Sequence, residues 1–163
     1  MKALCNPLAN FSYFYIMLQN RHERFMKVAL EEAKKASGRQ EIPVGAVVVC
    51  RDQIIARAHN LTETLNDPTA HAEMQAITAA ATWLGGKYLT ECTMYVTLEP
   101  CAMCAGALGW SQLPELVYGA PDEKKGYTLL TGQLLHPRTK VIKGVLEEQC
   151  RELMVSFFRR KRE

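Results

Sequence analysis

Two short segments, His71-Ala72-Glu73 and Pro100-Cys101-Ala102-Met103-Cys104, constrain the fold of this chain more than anything else in it. Together they offer one imidazole and two thiols, a donor set suited to zinc, and a carboxylate that stands apart from that set. Any fold that uses them must carry both segments to one point. Three protein ligands leave one tetrahedral position open, the mark of a catalytic metal centre, whereas a structural zinc is closed by four. Water in the open position has its pKa lowered from ~16 to about 7, so a nucleophile is available at neutral pH.

Cys101 and Cys104 are three residues apart, so they share one face of a helical turn if Pro100 or Cys101 opens a helix. The free amides and positive dipole end of that turn favour thiolate, the form that binds metal. His71 follows Asp67-Pro68-Thr69-Ala70 and precedes a helix-like run from Ala72 to Leu84. It therefore sits at a second helix start, with Asp67 or Thr69 expected as the cap. Glu73, two residues on, diverges from His71 and can stand beside a bound water without ligating. Two other readings use the same residues. One is a Cys-x-x-Cys redox pair, which lacks a thioredoxin-like context, and the other is a structural zinc knuckle with Cys92 or His59 as fourth ligand.

The His-x-Glu and Pro-Cys-x-x-Cys pair resembles the signature of zinc-dependent nucleobase deaminases of the cytidine deaminase superfamily. Further stretches narrow the resemblance: Glu41-Ile42-Pro43-Val44-Gly45-Ala46, Asn60, Asp67 to Glu73, Tyr95 to Cys101, Cys104-Ala105-Gly106-Ala107 and Val117-Tyr118-Gly119-Ala120. With these the chain is similar to bacterial tRNA-specific adenosine deaminases from about Phe25 to its C-terminus. The resemblance implies a three-layer α/β/α fold with a five-stranded mixed sheet, one zinc ion per subunit on His71, Cys101 and Cys104, and Glu73 as the catalytic proton shuttle. It implies that Asn60, Val44, Leu98 and Ala72 bind the target nucleotide. It also implies a homodimer, a tRNA anticodon loop as substrate, and conversion of its wobble adenosine to inosine.

Composition agrees with one catalytic domain. The 163 residues, 48% of them hydrophobic, fit a single core. Cys50, Cys92 and Cys150 lie in apolar or helical surroundings typical of buried free thiols, which points to a reducing cytoplasm. Residues 1–20 are expected to be an extension, disordered or preceding a start at Met17, with 21–163 forming the deaminase domain. The alternative is an extra helix packing through Phe11, Phe14 and Tyr15. Pro7, Asn10 and Ser12 argue against a signal peptide, and the apolar run from Leu8 to Leu18 is too short to span a bilayer.

Periodicity predicts helices over His22 to Ser37, Ala72 to Leu84, Cys101 to about Gln112 and Glu147 to Arg160. Strands are expected at Val44 to Cys50, Gln53 to Ala58, Thr93 to Leu98, Leu116 to Tyr118 and Lys140 to Lys143. Alternating helices and strands place helices on both faces of a parallel or mixed sheet.

The net charge of +3 is compatible with an anionic polymer, and the placement of the charge tells more. Lys124 and Lys125 follow Asp122, and Arg159-Arg160-Lys161-Arg162 close the last helix beside Phe157 and Phe158. Such cations hold phosphates, and an aromatic ring stacks an unpaired base. The bland reading of the tail is a solvated helix end whose cations complement its dipole. Ala120-x-Asp122-x-Lys124-x-Gly126 matches a loop that, in the resembling family, touches nucleotides beside the target, and this favours RNA; Asp122, Lys124, Phe157 and Arg159 are therefore candidate substrate contacts. Trp110 and Gln112 depart from the family, where His and Arg are common. A deaminase of free guanine, cytosine or a nucleoside keeps the same site, and a zinc-stabilised RNA-binding module without catalysis is the reading from another class.

Overall fold

The β-branched run after Pro43 forms β1 (Gly45–Cys50), whose six residues are all buried. Successive side chains of a strand point to opposite faces, and here each face meets its own core. Ala46, Val48 and Cys50 join Ala72, Ala76 and Ala80 of α2 (Ala72–Leu84) and Leu108 of α3 (Ala102–Trp110). Val47 and Val49 join Phe25, Met26, Ala29 and Leu30 of α1 (Pro7–Gly38). A strand buried on both sides belongs in the middle of a sheet. The remaining strands are β2 (Gln53–His59), β3 (Cys92–Leu98), β4 (Glu115–Ala120) and β5 (Lys140–Lys143), and the sheet order is β2-β1-β3-β4-β5. α4 (Glu147–Arg160) packs with α1 on one face, and α2 with α3 on the other. The computed structural model describes residues 7–162, with side chains from residue 16 onward.

The mixed pairing decides where the loops go. β1 runs antiparallel to β2 and β3, while β3, β4 and β5 are parallel. Gly45 therefore pairs with His59, Ala46 with Val96, and Leu98 with Ala120. The start of β1 and the ends of β2, β3 and β4 lie at one end of the sheet. The residues just beyond them, Val44, Asn60, Glu99 to Cys101 and Asp122, are gathered there by topology alone.

α1 seats directly on β1. A Cβ at Gly45 would collide with the backbones of Ala29 and Ala33, so only glycine lets the helix approach this closely. α2 stops at Gly85, whose φ of 66° reverses the chain while the Gly86 amide donates to Ala81 O at 3.1 Å. The β1–β2 hairpin turns on Arg51 and Asp52, both at positive φ.

Strand and helix positions follow the sequence expectations, with one difference. α1 begins at Pro7 rather than near His22. No glycine or proline interrupts residues 8–37, and Pro7 is suited to a first helical position. The expected packing of Phe11, Phe14 and Tyr15 concerns side chains outside the described ones. No described helix is long and apolar enough to cross a membrane.

Candidate active site

Two helix starts converge at the loop-bearing end of the sheet. His71 is the N-cap of α2 (φ −69, ψ 155) and Cys101 is the N-cap of α3 (φ −74, ψ 173), both with extended backbone. Neither carries a side-chain cap, contrary to the expectation for Asp67 and Thr69. The Asp67 carboxylate instead accepts the Thr69 amide at 2.8 Å and hydroxyl at 2.7 Å, tightening the turn that delivers His71.

His71 Nδ1 lies 3.7 Å from Cys101 Sγ and 3.5 Å from Cys104 Sγ. The three donor atoms lie within 4.8 Å of one another. A tetrahedral zinc with bonds of about 2.0 Å to nitrogen and 2.3 Å to sulfur separates such donors by about 3.6 Å, so these residues fit the ion. The fourth ligand of a closed site is not supplied by either expected candidate. Cys92 opens β3 at the opposite end of the sheet, and His59 Nδ1 donates to Glu32 Oε2 at 3.1 Å.

The electrostatics suit a cation. Hydrogen bonds from Cys104 and then from His71 draw the Cys101 thiol down to about 3. The bond to Cys101, with burial next, drives Cys104 up. Hydrogen bonding to Cys101 also raises His71. Glu73, only 4% exposed, sits in the first turn of α2 behind these groups, and burial pushes its carboxyl up.

Two further carboxylates, both lying close before a proline, hold the loops around this centre. Glu41 is fully buried and accepts the Thr64 amide at 2.7 Å, the Glu63 amide at 3.2 Å and Asn60 Nδ2 at 3.0 Å. Burial opposes its charge, yet the hydrogen bonds led by the Thr64 amide hold it below the usual carboxylate range. Asn60 Nδ2 also donates to Thr62 Oγ1 at 2.9 Å, which commits both amide hydrogens and leaves Oδ1 as the free acceptor. Glu99 accepts the Asp122 amide at 3.1 Å, the Thr128 amide at 3.0 Å and the Thr128 hydroxyl at 2.7 Å. It thus pins both ends of the loop that carries Lys124 and Lys125. A Cβ on Gly126 would meet the Glu99 carboxyl, and the Tyr127 amide donates to Pro100 O at 2.9 Å, so this loop is locked against the cysteine helix. Neither anchoring role follows from the sequence reading, in which Glu41 and Glu99 stand only within stretches that carry the family resemblance. The local sign in both cases is only an acidic residue one or two positions before a proline, which does not say what it binds.

Val44 is buried in the core beneath α2 and α3, Leu98 is half-buried between both cores, and Ala72 is buried beside His71. Asp122 turns its carboxylate on its own loop, accepting the Lys124 and Lys125 amides at 2.9 and 3.1 Å. Lys124, Lys125 and Arg159 are exposed. Phe157 corrects the expectation of a base-stacking ring: it is 2% exposed, edge-on to Phe158 and built into the domain. Phe158, 40% exposed, is the aromatic that the tail presents.

Comparisons with known proteins agree with this geometry. Residues 19–120 match the model of the cytidine and deoxycytidylate deaminase zinc-binding region. A tRNA-specific adenosine deaminase of Bacillus subtilis is 47% identical over 145 residues, 86% of this chain and 90% of that protein. Among solved structures, a tRNA:A34 deaminase studied for A-to-I editing at the wobble position superposes with a TM-score of 0.74 at 40% identity, covering 80% of this chain and 98% of that one. A guanine deaminase from Bacillus subtilis superposes with a TM-score of 0.59 at 42% identity over 61% of this chain and 64% of its own. With a zinc-binding donor set on two helix starts and relatives of this likeness along most of its length, the chain belongs to the tRNA-specific adenosine deaminases of the cytidine deaminase superfamily.

Proposed function

We propose that this protein hydrolyses the wobble adenosine of a tRNA anticodon to inosine, with release of ammonia. The observation that carries this reading is the buried Glu73 beside the His71, Cys101 and Cys104 cluster, in a chain of this family. Zinc held by these three residues supplies a Lewis acid that brings water toward ionisation near neutral pH. Glu73 takes the proton that the water gives up and returns protons to the ring nitrogen and the departing amine. Its place in the first turn of α2, two residues after His71, keeps it beside the reacting atoms without ligating. Val44 and Leu98 wall the base from either side, and Ala72 keeps the floor small. Asn60 Oδ1 accepts a hydrogen bond from the nucleotide, since Glu41 and Thr62 already occupy its amide hydrogens.

An unpaired anticodon base is cheaper to swing into such a pocket than a base stacked in a duplex. Lys124 and Arg159 hold flanking phosphates, and Asp122 shapes the Lys124 loop. Trp110, 86% exposed at the end of α3, and the exposed Leu129 and Leu130 support a homodimer whose subunits share each RNA site. The cytoplasm is the compartment where this chemistry has its substrate.

The test is mass-spectrometric detection of inosine after the zinc-loaded protein meets an arginine-tRNA anticodon stem-loop with adenosine at the wobble position. Free adenosine, cytidine and guanine run in parallel. Inosine in the RNA alone is expected. Ammonia from a free base or nucleoside, with unmodified RNA, moves the activity to small-molecule salvage, and RNA binding without any product leaves only a binding module.

A further inference from the structure

The far end of the sheet carries a second pair of cysteines that the deamination chemistry does not use. Cys50, the last residue of β1, and Cys92, the first of β3, are direct partners across the antiparallel ladder. The Cys92 amide donates off the ladder to Leu89 O at 3.0 Å, so the two form a pair of the non-hydrogen-bonded kind. In such pairs the Cα atoms approach to about 4.5 Å with side chains on the same face, within the span of roughly 4.4–6.8 Å that a disulfide bridges. Both side chains belong to the core shared with α2 and α3.

The pair is not sealed. A surface cavity of about 390 Å³ is lined by both cysteines together with Arg51, Gln53, Trp83 and Tyr88 among others, with Arg51 paired to Glu91 beside it. Cys50 is 7% exposed and Cys92 1%, so a reagent entering here meets Cys50 first. Burial, with Cys50 as neighbour, pushes the Cys92 thiol up to about 12.

We propose that Cys50 and Cys92 form an oxidisable dithiol that closes to an intrachain disulfide, stapling β1 to β3 at the end of the sheet remote from the zinc ligands. With a diazene oxidant such as diamide, the Cys50 sulfur adds to one nitrogen and its proton passes to the other. Cys92 then attacks the Cys50 sulfur, the S–N bond breaks, and the second proton completes the hydrazine. Two S–H bonds are lost, one S–S bond forms, and the N=N bond takes the two electrons. A thiol reductant reverses the reaction. The six residue steps from Cys92 to Leu98 span about 20 Å of strand, so closure leaves the metal ligands in place.

The test uses the full-length, zinc-loaded protein treated with diamide, alkylated under denaturing conditions and peptide-mapped, with zinc content and melting temperature measured on the same sample. A single linked peptide containing Cys50 and Cys92 is expected, with zinc retained and the melting temperature raised by roughly 5–15 °C, as closing a loop of this length implies. Reductant should restore both thiols, and Cys50→Ala or Cys92→Ala should each abolish the link and the shift. The proposal is overturned if Cys50 and Cys92 both remain alkylatable after treatment, or if either is found bridged to another cysteine.

Discussion

The zinc-ligand cluster and the exposed cations of the Lys124 loop and the last helix are built to different standards of order. His71 and Cys101 are fixed by helix starts, Glu73 is buried in the first turn of α2, and Asn60 is gripped by Glu41. Lys124, Lys125 and Arg159 are exposed, and among the described residues none of them makes an ion pair. The chemistry needs atoms held in place, whereas the phosphate contacts proposed above ask only for charges free to adapt. Glu99 stands between the two regions, because its carboxylate ties the lysine loop to the strand that delivers the cysteines.

Removing the metal should break the pocket side completely. Chelation, or Cys101→Ser, is expected to reduce deamination to background, and metal analysis beside activity shows whether the two are lost together. Glu73→Ala should retain zinc and RNA affinity while kcat falls by roughly 10²–10⁴-fold, the range of a lost acid–base group. Near-normal turnover by this variant would remove Glu73 from the mechanism. A loss of zinc along with activity would make it a structural residue instead.

Glu99→Gln sharpens the comparison at its hinge. The loop keeps its length and charges but loses a charged acceptor for three donors, each such bond contributing about 1.5–3 kcal/mol. The expected result is a rise in KM for the stem-loop that exceeds any fall in kcat. An equal fall in kcat and kcat/KM would place Glu99 in the chemistry. Lys124→Ala and Arg159→Ala should have the smallest effects, weakening RNA binding a few-fold without changing kcat. Each should lower the slope of log affinity against log salt by ~0.7, the value for one phosphate of a single strand. An unchanged slope would take that residue off the RNA path.

Much of this was legible before any fold was known. The β-branched run of β1 and the alanine-rich helix after His71 carry their own periodicity, and ligand identity follows from donor chemistry at helix starts. Long-range pairing was less legible. Nothing local in Glu41 or Glu99 announces that each gathers amides from a distant loop, because those partners are set by sheet order. Phe157 and Phe158 are adjacent and identical, and only the seating of α4 buries one and exposes the other. α1 starts earlier than the periodicity from His22 indicates, because the segment before it holds no glycine or proline to stop the helix.

The absent side chain of Gly45 has a reach beyond its own packing. It lets α1 touch β1 backbone to backbone, and Val44, proposed above to wall the base, is the residue just before it. The seat of α1 on the sheet is therefore gauged by a methyl group that is not there. A single added carbon would move a helix.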